Sequence, residues 1–328
     1  MANYKNIHGL NIPIRTSDPS NPLIGEMWYN STSNSLKGQI NVASASWASG
    51  ATYPSARRDA TGFGTPTAAI IMGGNPANST ANTYDGSSWT STTAIPANSS
   101  GADSDGPQTA GLFVGGSDTT ANYDWNGSTW SANPTLPVGR TGHATIGGAA
   151  VQTAALAISG EGGTNAGITT SSWNGSTWTA GAAIPGWSQG TSGGGTPAAA
   201  FVQGHQIATT GGTATKDYDG STWTDGSVSN NGHNYGGGGG LPTNGIMFGG
   251  TSTPNPGTKT NVAETYDGTC WTNSATMVVG VSNAHGKATL NGATSSLCVT
   301  GNAPPPGYSD VTQDFTGSGP STVTISSS

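Results

Sequence analysis

One six-residue phrase recurs five times and limits what this chain can become. An aromatic residue, Asp or Asn with Gly, two small residues and a Trp span Tyr84–Trp89, Trp125–Trp130, Trp173–Trp178, Tyr218–Trp223 and Tyr266–Trp271. Asp-Gly and Asn-Gly tolerate the backbone conformations that reverse a chain tightly, so each phrase predicts a β-hairpin. Its two aromatics then face each other across the strands, a pairing that contributes roughly 0.5–1 kcal/mol beyond burial. One such hairpin is marginal in water. Five imply a repeating sheet architecture.

The closing Trp residues at 89, 130, 178, 223 and 271 set a period of 41 to 48 residues. A Gly pair after a short apolar run precedes each hairpin: Gly73-Gly74, Gly115-Gly116, Gly162-Gly163, Gly211-Gly212 and Gly249-Gly250. An apolar residue with proline follows several of them, as at Ile95-Pro96, Leu136-Pro137 and Ile184-Pro185. Periods in the forties with four short strands each are the signature of propeller blades. These residues resemble the kelch repeat, and Arg140-Thr141-Gly142-His143-Ala144 resembles the opening of a kelch blade. The resemblance covers about residues 46 to 328 and implies a kelch-like β-propeller, although the turn is shorter than the usual kelch spacing. It says little about function, because such propellers host both enzymes and binding modules. Sialidase-type repeats also carry an Asp-Gly-Thr-Trp element, but with one residue between Asp and Gly, which makes them the weaker match.

Five full copies leave two remnants. Trp47 and Tyr53-Pro54 read as an outer strand without inner partners; Leu297-Cys298-Val299 and Phe315-Thr316-Gly317 read as a blade without a closing Trp. The expectation is that the strand near Trp47 completes the last blade and removes an open sheet edge. That gives six blades over residues 46–328. The alternating tail Ser321–Ile325 is expected as an extra or alternative outer strand, which keeps seven open. Glycine runs at Gly193–Gly195 and Gly236–Gly240 suit innermost strands crowded at an axis. No stretch has helical periodicity.

Residues 1–45 stand outside the repeat. Gly25–Asn30 and Ser35–Ile40 flank the polar turn 31–34, a second kind of hairpin. The Pro…Gly-Glu-Met-Trp-Tyr-Asn-Ser…Leu-Lys phrase resembles the N-terminal segments of tail and fibre proteins from tailed bacteriophages. That resemblance implies a virion protein whose N-terminal segment attaches to other virion structural proteins, with Met27, Trp28, Tyr29 and Ile40 as the assembly-interface residues. The propeller would then face a host-surface receptor or glycan. A homo-oligomer is compatible with this arrangement.

Composition removes several alternatives. Charged residues are 8% of the chain, against roughly a quarter in average soluble proteins. Ten Trp and nine Tyr, many of them at periodic positions, argue for order rather than low-complexity disorder. A net charge of −7 leaves no basic footprint for nucleic acid. No apolar run reaches membrane-spanning length, and the opening lacks a secretory signal pattern. Two cysteines make neither a disulfide framework nor a zinc site.

Enzymatic constellations are sparse. His143, His233 and His285 fall near the starts of first strands, which repeat phase explains more simply than a metal cluster. The kelch family includes a copper radical oxidase, but Cys270 beside Trp271 lacks the matching histidine pair. Asp85, Asp219 and Asp267 are turn residues, and the remaining acids show no convergence of the kind glycosidases need. The expectation is therefore a non-enzymatic protein without cofactor or metal. The alternative is a propeller hydrolase or oxidase acting on surface glycans. Loops on a rigid scaffold are where recognition usually sits. Trp187, Tyr235 and Tyr308, aromatics outside the hairpin register, are the ligand-binding candidates for sugar stacking.

Overall fold

Five of the hairpins are built as the sequence predicts, with the two aromatics directly opposite: Tyr84 with Trp89, Trp125 with Trp130, Trp173 with Trp178, Tyr218 with Trp223, Tyr266 with Trp271. Their rings lie 4.6 to 5.4 Å apart. The turn chemistry is more specific than expected. Only the glycine enters the left-handed region, with φ between +88° and +95° at Gly86, Gly127, Gly175, Gly220 and Gly268. The Asp or Asn works through its side chain: Asp85 Oδ1 accepts the Ser87 and Ser88 amides at 2.8 and 2.7 Å, and Asn126 Oδ1 those of Ser128 and Thr129 at 3.0 and 2.9 Å. These bonds hold the carboxyls of Asp85, Asp219 and Asp267 well below the usual carboxylate range. Around Gly127 a Cβ would meet nothing closer than 3.6 Å. Gly127→Val should therefore cost about 1–2 kcal/mol through φ alone, read as a lower urea midpoint with an unchanged slope.

The computed structural model describes residues 12–325 apart from 21, 23–24, 42–43, 77–78, 98, 163–168, 185, 188, 206–211, 252–257, 304–306 and 319; at 39–41 and 320–324 it describes the backbone alone. The fold is all-β and propeller-like. Seven four-stranded sheets account for it, with helix limited among the described residues to 3₁₀ turns such as Gly148–Ala150 and Gly292–Thr294. Two compact units emerge: Ser46–Thr316, and Met1–Ala45 with Gly317–Ser328.

In the larger unit six sheets follow one another. Their innermost strands are Thr61–Thr65, Asp103–Asp105, Ala144–Ile146, Ser192–Thr196, Gly237–Leu241 and Lys287–Ala288. Five sheets are consecutive antiparallel meanders. The sixth takes its outer strand, Ser46–Ser49, from the front of the chain, where Trp47 pairs with Phe315. Each sheet packs on the next. Phe63, Ile70 and Met72 of the first meet Phe113 and Trp125 of the second; Leu112 and Val114 meet Trp173 and Trp178. Ile146, Leu156 and Ile158 meet Val202 and Tyr218, and Phe201 meets Tyr266 and Trp271. Trp47 of the sixth sheet stands edge-on to Phe248 of the fifth at 5.1 Å. Leu297 and Val299 of the sixth then pack with Ile71 and Tyr84 of the first.

The Gly-pair marker needs correction in two copies. Left-handed residues follow the second strand at Gly73-Gly74, Gly115-Gly116 and Gly249-Gly250 as expected, but at Ser159-Gly160, Gly204 and Thr300-Gly301 elsewhere. Gly162 is left-handed too, but it lies two residues past this position, and Gly163 and Gly211 lie outside the described residues. The carbonyl at the first position is held by a side chain four residues before an inner strand. Arg57 Nη1 donates to Gly73 O at 2.8 Å, Arg140 Nη1 to Ser159 O at 2.6 Å, and His233 Nδ1 lies 2.8 Å from Gly249 O. The glycine-rich inner strands are sterically required: a Cβ at Gly194 would sit 2.3 Å from Gly240 O, and one at Gly239 2.1 Å from the Thr289 hydroxyl.

The smaller unit is one sheet. Met27–Asn30 and Ser35–Asn41 form the expected hairpin, Ile14–Arg15 pairs in parallel on one side, and Pro320–Thr324 pairs antiparallel on the other. The tail strand thus joins residues 1–45 instead of extending a blade, and the repeat-bearing unit ends at 316 rather than 328. Asp18 ties this sheet together, accepting from Trp28 Nε1 at 2.9 Å, Asn30 Nδ2 at 2.7 Å and Lys37 Nζ at 2.7 Å. The Lys37 contact, then Asn30 and Trp28, hold its carboxyl down to about 2.

Candidate functional site: the two ends of the central axis

Six residues just ahead of the inner strands share one backbone conformation. Asp59, Gly101, Gly142, Gly190, Tyr235 and Asn283 have φ of +56°, +65°, +62°, +79°, +55° and +54°. Consecutive members are joined by amide-to-carbonyl bonds: Gly101 to Asp59 at 3.0 Å, Gly142 to Gly101 at 2.8 Å, Gly190 to Gly142 at 2.9 Å, and Tyr235 to Gly190 at 3.1 Å. The Ala284 amide continues to Tyr235 O at 3.3 Å. Asn283 Nδ2 donates to Asp59 Oδ1 at 2.6 Å, a link between the last sheet and the first. A belt of hydrogen bonds therefore runs around one end of the axis, where the left-handed conformation turns successive peptides toward their neighbours.

Inside this belt is a cavity of about 270 Å³, lined by Arg58, Asp59, Thr141, Gln189, Tyr235 and His285 among others. Asp59 is paired with Arg58 at 3.3 Å. Burial pushes its carboxyl up, opposed by Asn283 and Arg58. Burial, with Glu161 and Asp59 nearby, raises the Tyr235 phenol to about 12, so it stays protonated. A Cβ at Gly190 would lie 3.3 Å from the Tyr235 ring, so that ring rests on a glycine. His285 is 1% exposed and its Nδ1 has no hydrogen-bond partner. Burial, then Lys287, lowers it to about 3, so it is neutral at any ordinary pH.

The other end holds a second cavity of about 300 Å³, walled by glycines 193–195 and 239–240 together with Asp105, Lys287 and Thr289. Between the two cavities Lys287 crosses the axis. Its ammonium donates to Ser192 Oγ at 2.8 Å and lies 3.6 Å from Asp103 Oδ1, which bridges the sixth, fourth and second sheets. Asp103 also accepts the Thr145 amide at 2.7 Å. Burial raises its carboxyl to about 6 despite the lysine.

The ligand-binding candidates separate. Tyr235 lines the belt cavity. Tyr308 is 39% exposed beside it, its hydroxyl 3.2 Å from Asn75 Oδ1 and its ring 5.6 Å from the Arg58 guanidinium carbon. Trp187 is a core residue instead: it is buried, stacked on His205 at 3.9 Å, and donates to Thr191 Oγ1 at 2.8 Å. Sugar stacking there is excluded because neither ring face is accessible. Among the assembly-interface candidates Trp28 is fully buried with its indole N–H satisfied, so it offers no docking surface. Met27 and Tyr29 are half-buried, and the Ile40 side chain lies outside the described residues.

Of the three histidines, His143 and His285 both keep an unpartnered Nδ1 near the axis, while His233 is a structural bridge to Gly249 and Glu264. No group of three His, Cys, Asp or Glu suited to a metal occurs among the described residues. Cys270 and Cys298 are both free thiols. Arg58, Asp59, Asn283 and the belt itself were missed by sequence reasoning. The one sequence signal was that Asp59, Gly101, Gly142, Gly190 and Tyr235 each stand two residues ahead of a first strand.

No protein-family profile matches the chain, and no curated protein does. Among solved structures it is similar to that of YjhT, with a TM-score of 0.65 and 14% identity, over 80% of this chain and 95% of that one. At this identity the likeness speaks for the fold alone.

Proposed function

We propose that the chain is a six-bladed, kelch-like propeller serving as a non-enzymatic component of a phage virion, whose ring recognises a polar ligand at the belt end. The belt cavity carries the recognition half of this reading: it combines an aromatic ring, a paired carboxylate and guanidinium, and uncharged donors and acceptors in one concave site. The six-blade reading is supported by the six four-stranded sheets of the larger unit, the last of them including Ser46–Ser49. The virion half rests on the N-terminal phrase and on the hydroxyl- and amide-rich surface with little charge. Residues 1–45 and 317–328 would anchor it to other virion proteins, and Met27 and Tyr29 are the side chains left to contribute.

A direct test is to incubate the protein with host-surface polysaccharide and follow both retention and product size. The proposal expects the polysaccharide to be retained and recovered at its original length. Shortened or oxidised product would establish the rival reading, a glycan-acting enzyme.

A further inference from the structure

We infer that the belt cavity is a site for a single neutral sugar ring, seated against Tyr235 with adjacent hydroxyls on Asp59 and with His285 in the wall beside it. This deepens the recognition half of the function proposed above and rests on it.

Size sets the first constraint. At about 270 Å³ the cavity lies just below the range of small-molecule sites, roughly 300–1,000 Å³, so it takes one ring rather than an extended chain. Charge sets the second. Arg58 and Asp59 neutralise each other at 3.3 Å and Glu161 is the further charge felt by Tyr235, so there is no cationic excess to attract an anion, and any ion entering would have to be desolvated. Hydrogen-bonding chemistry sets the third. Asp59 holds Asn283 on one carboxylate oxygen and Arg58 on the other, and each oxygen retains capacity for a further donor. That arrangement suits a pair of adjacent hydroxyls. His285 stands in the wall of the cavity, 1% exposed and uncharged, so its ring adds no charge there and reports on whatever occupies the space. Finally, the Tyr235 ring is backed by Gly190, where a Cβ would approach to 3.3 Å. Its left-handed backbone, φ +55°, is a strained state for a bulky residue, and it fixes the ring at the belt.

The test uses the full chain with imidazole-labelled histidine. Glucose, galactose, mannose and N-acetylglucosamine are titrated beside glucuronate, glucosamine and the acyclic polyol sorbitol. The expected result is that at least one neutral pyranose binds and shifts the His285 ring signals, while the charged sugars and sorbitol do not. Two variants chosen to preserve the backbone follow. Tyr235→Gly removes the ring and relaxes the positive φ; Asp59→Asn keeps a residue that tolerates it. Each should weaken binding at least tenfold while the chain keeps its β-sheet circular dichroism and a single cooperative thermal transition.

Binding that survives both variants, or that leaves His285 unmoved, overturns the site while recognition elsewhere on the ring stands. Preference for a charged sugar or for sorbitol overturns the ligand class. Absence of binding by every probe at tens of millimolar overturns the sugar site and leaves the anchoring role untouched. Conversion of a bound sugar would keep the site and overturn the non-enzymatic reading.

Discussion

Trp47→Ala is expected to destabilise the protein by about 3–5 kcal/mol, the range for deleting a buried large aromatic. Trp47 is 8% exposed and sits 5.1 Å from both Phe315 and Phe248. It joins the outer strand Ser46–Ser49 to the last sheet and that sheet to the fifth. Its loss should release the strand, exposing an unpaired edge on Ser309–Thr316 and inviting edge-to-edge association. The check is a urea titration with light scattering alongside. A Trp130→Ala variant is the comparison: that indole is only half-buried and its strand is tethered by its own hairpin, so the effect should be smaller and scattering should stay low. Equal losses from the two would mean that Ser46–Ser49 is not the closure.

Lys287→Met should cost a similar amount, about 3–5 kcal/mol near pH 8, because it leaves the Asp103 carboxylate buried without its counter-charge. The pH dependence separates this cause from lost packing. In the folded protein Asp103 is raised to about 6 from the ordinary value of 3.8, so the folded state binds the proton more tightly than the unfolded chain. Its burdensome charge is absent below about pH 4 and fully present above about pH 7. Removing Lys287 raises the folded value further. The difference between Lys287→Met and wild type should therefore shrink as pH falls from 8 to 5, measured by denaturant unfolding at each pH. A difference that stays constant over that range would assign the loss to packing of the lysine stem instead.

The hairpins were legible because their chemistry is local. Glycine at a left-handed position and an Asx oxygen for two amides are needed in every copy, and Tyr or Trp pairs recur with them. Completion of the sixth sheet by the strand at Trp47 was legible as well, since a lone outer strand and a sheet lacking one are complementary. Gly162-Gly163 and Gly211-Gly212 misled for a physical reason: the left-handed step after the second strand can be made by Ser159 or Thr300, so glycine identity is a poor marker for it. Trp187 looked like a loop aromatic because it is out of register with the hairpins, yet its partner His205 comes from the following sheet. Trp28 was expected at an assembly interface as part of an isolated hairpin; here the hairpin is the middle of a four-stranded sheet, and Trp28 is fully buried with Asp18 taking its N–H. The belt was the least legible part. Its six members share a backbone conformation but no side-chain type, and it acquires chemistry only where Asp59, Tyr235 and Asn283 replace glycine. Sequence periodicity reports what repeats, and the side chains of Asp59, Tyr235 and Asn283 do not.

The proposed division of labour between the two units is tested by particle incorporation of a variant lacking residues 1–45 and 317–328. Both segments must go together, since Pro320–Thr324 pairs with Ser35–Asn41 and would otherwise be left without its partner strand. The remaining chain, 46–316, keeps the six sheets, the belt and the axial lysine. The expected result under the proposed virion role is a folded, soluble ring that retains ligand and is absent from purified particles when co-expressed with the remaining particle proteins. Incorporation at the level of the full-length chain would contradict it.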